Sequence, residues 1–226
     1  MKDLASLHLD NHDSRLKYYH LFMTMPAETE IPHYDLPAGY SFTTYTPGDR
    51  DTWIEIEKSA KEFSTFEEGV DAWQRYYGNH EDVLPDRMFF IVDPNGKKVA
   101  TATAFFDEKL PGGWLHWVSV SRDAQGKRLS RPLIAHTLHR LQALGYKELF
   151  VPTQTTTWVA AKLYLDFGFR PVPENLEEDH FGWRMLKTLT DHPALKELEP
   201  VEVDELLNKK ESDRFSSIRR AAVLYS

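Results

Sequence analysis

The stretch from Met88 to Phe106 constrains the fold of this chain more than any other. Met88-Phe89-Phe90-Ile91-Val92 and the run from Val99 to Phe106 are rich in aromatic, apolar and β-branched residues, and Asp93-Pro94-Asn95-Gly96 lies between them. Runs of this composition extend as strands, and an Asn-Gly pair readily takes the positive φ angles of a tight turn, so the segment predicts an antiparallel hairpin. The rest of the chain must supply partners for that pair.

Upstream, Tyr40 to Tyr45 has strand composition. Pro47-Gly48-Asp49 ends it before an amphipathic helical run through Trp53, Ile54, Ile56 and Ala60. A second helix is expected from about Thr65 to Tyr77, where Phe66, Val70, Trp73 and Tyr77 recur at three- and four-residue spacing and Gly78 follows. Downstream come a strand from Trp114 to Val120, a polar segment from Ser121 to Lys127 and a helix from Ser130 to Leu144. The apolar stripe of that helix is Leu133, Ile134, Leu138, Leu141 and Leu144. Leu149 to Gln154 reads as strand, Trp158 to Phe167 as helix capped by Gly168, Phe169 to Val172 as strand, and Gly182 to Leu186 as a last strand. Residues 1–36, with prolines at 26, 32 and 37, show no sustained period and read as an irregular arm packed on the core.

Composition excludes several roles. With 27 Lys and Arg against 35 Asp and Glu the formal charge is -8. Nucleic-acid binders usually carry a concentrated basic surface, so no nucleic-acid partner is expected. No stretch approaches the roughly 18 to 20 apolar residues of a bilayer helix, and Met1-Lys2-Asp3-Leu4 lacks a signal-peptide pattern. No membrane association is expected, and the cytoplasm is the expected location. The chain has no cysteine, which removes disulfides, thiolate metal sites and a cysteine nucleophile. His136 and His139 stand three apart on one predicted helix without a carboxylate partner, so they read as a solvated face and no metal is expected.

The polar loop from Ser121 to Ser130 joins a strand end to a helix start. Unpaired N–H groups and the positive end of the helix dipole favour phosphate oxygens there, and Lys127, Arg128 and Arg131 add charge. A ligand carrying a pyrophosphate fits this junction.

The residues around it resemble the GNAT superfamily of acetyl-coenzyme A dependent N-acyltransferases. The resemblance runs through His116-Trp117-Val118-Ser119-Val120, then Gln125-Gly126-Lys127-Arg128-Leu129-Ser130, and last Leu163-Tyr164-Leu165-Asp166-Phe167-Gly168-Phe169. The family loop is written Q/R-x-x-G-x-G/A. Gln125 matches its first position, Arg128 stands in place of the glycine, and Ser130 stands in place of the second small residue. The resemblance covers roughly Tyr40 to Leu189 and is similar to a bacterial subgroup of unassigned substrate. It implies a mixed α/β fold, a mostly antiparallel twisted sheet flanked by helices on both faces. It also implies an acetyltransferase domain over 37–190, preceded by the arm and followed over 191–226 by a charged, helix-prone appendage suited to a dimer contact or a lid.

The resemblance further implies acetyl-CoA as cosubstrate, held by the backbone of Val118, Ser119 and Val120 and by Gln125, Gly126, Lys127, Arg128, Leu129, Ser130 and Arg131. The acceptor amine attacks the thioester directly, which needs a proton acceptor, a polarised carbonyl and a proton donor for the leaving thiolate. Tyr164 matches the family tyrosine that protonates the sulfur. His116 resembles the strand histidine of arylalkylamine acetyltransferases; its ordinary pKa of about 6.5 suits a base at neutral pH. Strand alternation puts His116 on one face with Trp114 and Val118. Glu57 and Glu62 compete for the same task, and Trp53, Phe63, Trp73, Tyr76 and Tyr77 divide between core and acceptor site. The expected acceptor is a small-molecule amine. The alternatives are a non-catalytic coenzyme A-binding module on the same fold and an enzyme acting on protein or peptide amines.

Overall fold

A computed structural model describes residues 3–106 and 112–208. The described residues divide into two compact units, one within residues 22–152 and 163–173, the other within residues 3–21, 153–162 and 174–208.

The first unit is organised by the sheet. In chain order its elements are β1 (His20–Pro26) from Phe22 on, β2 (Ser41–Thr44), α1 (Arg50–Ser59), α2 (Phe66–Tyr76), β3 (Met88–Val92), β4 (Lys98–Phe106), β5 (Gly113–Val120), α3 (Ser130–Ala143), β6 (Glu148–Gln154) up to Pro152, α4 (Trp158–Asp166) from Leu163 on, and β7 (Arg170–Pro171). The strands lie in the order β2-β3-β4-β5-β6-β1-β7. The β2–β3, β3–β4, β4–β5 and β1–β7 pairs are antiparallel, and β5–β6 is parallel. This is the mixed, mostly antiparallel sheet expected of the sequence.

The hairpin forms, with a loop longer than a two-residue turn. Gly96 alone has positive φ, at 83°, and the Asp93 carboxylate accepts from the N–H groups of Asn95 and Lys97 at 2.9 Å each. Helices cover both faces because β3 is apolar on both. Phe90 packs with Trp53 of α1 and Trp73 of α2, while its neighbour Phe89 meets His136 of α3 edge-on at 4.5 Å between ring centroids. His136 also stacks on Phe42 at 4.2 Å, so it is half-buried against the sheet, contrary to the solvated face expected of it. Each fully buried large apolar side chain here contributes about 1.5–3 kcal/mol. Helices α1 and α2 approach closely at Gly69, where a Cβ would stand 2.5 Å from Ile54 Cγ2. The Thr65–Glu68 capping box starts α2.

Part of the arm expected to be irregular is strand. Leu21, Met23 and Met25 of β1 alternate inward, a period of two blurred in the sequence by apolar Phe22 on the outward face and ended by Pro26.

The second unit contains α5 (Pro173–Glu178) except its first residue, and α6 (His180–Thr190). The strand expected over Gly182 to Leu186 is therefore corrected to helix. Gly182, Met185, Leu186 and Leu189 are buried at helical spacing, and a side chain at Gly182 would collide with Tyr19. Leu16, Met185, Leu189, Val201 and Leu206 form the core of this unit, and Leu16 bridges to Leu207. The described part of the C-terminal appendage forms 3-10 turns at Pro193–Leu195 and Val203–Glu205. Its later apolar positions, Ile218, Ala222 and Val223, lie outside the described residues.

Candidate active site

Two irregularities in β5 create the site. First, its ladder with β4 pairs Thr103 with His116 and Thr101 with Ser119, so Trp117 and Val118 together face Ala102. This is a β-bulge, and Trp117 enters it at φ 46°. The bulge shifts the alternation by one residue. Trp114, His116, Trp117 and Ser119 share the α1–α2 face, so Trp114 and His116 lie together as expected and Val118 alone leaves the set. Second, β5 and β6 are paired only at Gly113–Leu149 and Trp114–Phe150. Among the described residues no ladder continues beyond that point, although β5 runs to Val120 and β6 to Gln154. Two parallel strands that part in this way leave peptide groups turned toward the gap with no strand partner.

The loop after β5 begins with a 3-10 turn at Arg122–Ala124. It is tied down by Ser121 N donating to Val99 O at 2.8 Å and by Arg122 N donating to Ser59 Oγ at 2.9 Å. Gln125 Nε2 donates to Val120 O at 3.1 Å, which closes the loop on its own strand. Gly126 and Arg128 both have positive φ, at 76° and 63°. Arg128 thus takes the left-handed conformation that the family loop assigns to glycine, at a cost of about 1–2 kcal/mol for an L side chain. Helix α3 starts at Ser130, behind Leu129, with no side-chain cap and no acidic residue in its first turn. Lys127 and Arg128 are exposed beside it. Arg131, expected to add charge to the loop, is bound to Asp166 at 2.7 Å.

Tyr164 lies on α4, which ends at Gly168 (φ 106°) with Phe169 N donating back to Tyr164 O at 3.1 Å. The phenol is 4% exposed. Burial, followed by the negative charges of Glu62 and Glu57, raises its pKa well above that of a free tyrosine, so it holds its proton at neutral pH.

His116 stands among rings: Tyr76 at 5.0 Å, Phe105 at 5.5 Å and Tyr77 at 5.7 Å between centroids. Tyr77 Oη donates to Thr103 Oγ1 at 3.1 Å and lies 3.0 Å from His116 Nδ1. The phenol therefore ties the imidazole, through Nδ1, to the strand residue opposite it. Of the five helix aromatics singled out in the sequence, Trp53, Trp73 and Tyr77 are core, while Phe63 and Tyr76 are half-buried around Trp117.

One residue stands out more here than in the sequence. Glu57 on α1 is fully buried and accepts from Ser119 Oγ at 2.5 Å. Its signal in the sequence is position: it shares the apolar stripe of Trp53, Ile54 and Ile56, where a charge is costly. Ser119, whose backbone alone the sequence implicates, also contributes its hydroxyl.

A bulged strand, a parallel partner that leaves it and a loop leading into an uncapped helix together have the architecture of an acyltransferase fold. The sequence matches the acetyltransferase (GNAT) family over residues 50–169, more than half of its 226 residues. The chain belongs to this family of acetyl-CoA-dependent enzymes. It is 26% identical over 159 residues to a mycothiol acetyltransferase of Nocardia farcinica, covering 64% of this chain and 50% of that protein. It therefore spans about half the length of that curated relative. Among solved structures, a GCN5-related N-acetyltransferase from Sphaerobacter thermophilus superposes with a TM-score of 0.56 at 21% identity, over 75% of this chain and 52% of that one. A GNAT-family acetyltransferase from Colwellia psychrerythraea gives 0.53 at 11% identity, over 69% and 54%. At these identities the two structures show the shared fold. Among the described residues no helix is long and apolar enough to cross a membrane.

Proposed function

We propose that this protein carries acetyl from acetyl-CoA to the primary amine of a small molecule by direct attack, with Tyr164 as the acid that protonates the leaving sulfur. The observation that carries this reading is the parting of β5 from β6 after Trp114 and Phe150, beside the loop that turns into α3. In this reading the exposed peptide groups of Val118, Ser119 and Val120 hold the pantetheine and polarise the thioester oxygen. The loop from Gln125 to Ser130 takes the pyrophosphate at the start of α3, and Arg131 supports that helix through Asp166. His116 and its competitors Glu57 and Glu62 are the bases read from the sequence.

The half-buried rings of Phe63, Tyr76 and Trp117 favour an acceptor with an apolar body and a small amine head. The cytoplasmic location and a homodimer remain parts of this proposal. The test is calorimetric titration with acetyl-CoA, with free coenzyme A and with NADH as nucleotide control, followed by thiol release in the presence of primary amines. Binding confined to the coenzyme A species, with amine-dependent thiol release, is the expected result. Binding of acetyl-CoA without thiol release from any amine favours the non-catalytic module. Preference for peptide amines over small ones favours a protein acetyltransferase.

A further inference from the structure

Among the described residues, three buried polar atoms in one corner of the first unit have no hydrogen-bond partner: Glu57 Oε1, Trp53 Nε1 and Trp117 Nε1. They are neighbours by construction. Trp53 and Glu57 are four apart on α1 and share one face, and the Trp53 and Trp117 rings are 5.3 Å apart. Ser119, two residues beyond Trp117, donates to the other oxygen of Glu57. Native interiors rarely leave buried polar atoms unpaired, and a cluster of them at the bulge of β5 marks a place for a polar ligand.

Resting on the acetyl-transfer reading, we infer that Glu57 is a catalytic residue that receives the proton of the acceptor ammonium on Oε1, and that Ser119 is a positioning residue that holds its other oxygen. The ammonium gives one proton to the Glu57 carboxylate, and the freed nitrogen lone pair attacks the thioester carbon. As the carbon–sulfur bond breaks, the thiolate takes the Tyr164 proton, and the second proton leaving nitrogen restores the phenol. Glu57 then releases its proton to solvent, so each turnover yields one amide, one thiol and one net proton.

The electrostatics agree with this division. Burial, followed by the charge of Glu62, raises the Glu57 pKa well above that of a free carboxyl, while the Ser119 bond opposes the rise. A carboxyl so raised is a stronger base than a solvated one. The ionisable groups around it are Glu62, from the segment after α1, Tyr77, at the end of α2, and Tyr164 on α4. The first repels a second negative charge, and the two phenols stay protonated at neutral pH.

The experiment compares wild type, Glu57→Gln, Ser119→Ala and His116→Gln by thiol release from acetyl-CoA. Phenethylamine, glucosamine, spermidine and a lysine peptide are the probe acceptors, tested across pH, and acetyl-CoA binding and melting temperature are measured alongside. Glu57→Gln is nearly isosteric and removes a buried charge, so it should fold and bind acetyl-CoA as wild type does. Its kcat should fall by roughly a hundredfold or more, and the rise of kcat/KM with pH should flatten. Ser119→Ala should retain that rise and move it to higher pH. If Glu57→Gln keeps the wild-type rate and pH profile, or if only His116→Gln abolishes the rise, the assignment is overturned. If wild type releases no thiol with any probe, the acetyl-transfer reading falls, and the role of Glu57 falls with it.

Discussion

Arg131 in the first turn of α3 binds Asp166 at the end of α4 at 2.7 Å, joining the helix that follows the Ser121–Leu129 loop to the helix that carries Tyr164. The guanidinium also lies over the Tyr34 ring, 5.9 Å from its centroid. Arg131→Ala should cost about 0.2–1 kcal/mol of stability, the range for a partly exposed ion pair. It should weaken coenzyme A binding less than Lys127→Ala does, and the salt dependence of binding should drop only in the Lys127 variant. Calorimetry at two ionic strengths checks both statements.

Arg128 pays for its left-handed backbone. Relieving about 1–2 kcal/mol of steric cost, against about 0.5–1 kcal/mol of extra chain entropy for glycine, leaves Arg128→Gly more stable by about 0–1.5 kcal/mol. The melting temperature should rise. A fall would show that the arginine side chain makes a compensating contact.

Tyr164→Phe should lower kcat by roughly a hundredfold or more while leaving coenzyme A affinity nearly unchanged, because a general acid acts only as the sulfur leaves. The raised phenol pKa keeps the acid charged with its proton through neutral pH, so no alkaline limb should appear near neutrality. Normal turnover of the variant would remove Tyr164 from the mechanism.

Asp13, in the second unit, gives an acid-stability prediction. Its carboxylate accepts from Arg15 Nε at 2.9 Å and from the backbone N–H groups of Asp10 and Arg15 at 3.0 Å each. The Arg15 hydrogen bond, foremost, lowers its pKa from 3.8 to about 2. The folded carboxyl binds its proton more weakly than the unfolded one, so its stabilisation is complete above the unfolded pKa and is lost as pH falls toward the folded one. Because Arg15 is 54% exposed, screening reduces the effect to about 1 kcal/mol. Asp13→Asn should lower the melting temperature at neutral pH and flatten its fall in acid.

The local elements were legible in the sequence because they rest on short-range patterns. Runs of apolar and β-branched residues around a Gly-containing turn made the β3–β4 hairpin, and an apolar stripe ending at glycine made α3. Where local patterns competed, the reading failed: outward-facing Phe22 and the prolines hid the alternation of β1, and Trp183 between Gly182 and Arg184 disguised a helix as a strand. Only the tertiary structure decided the bulge at Trp117, since an extra residue in β5 exists only relative to its partner β4. It likewise decided that Arg131 belongs to Asp166, 35 positions away, and that Glu57 meets Ser119, 62 positions away. Pairings at that separation are set by how the sheet and helices pack. Sequence spacing alone contains nothing that brings those two side chains together.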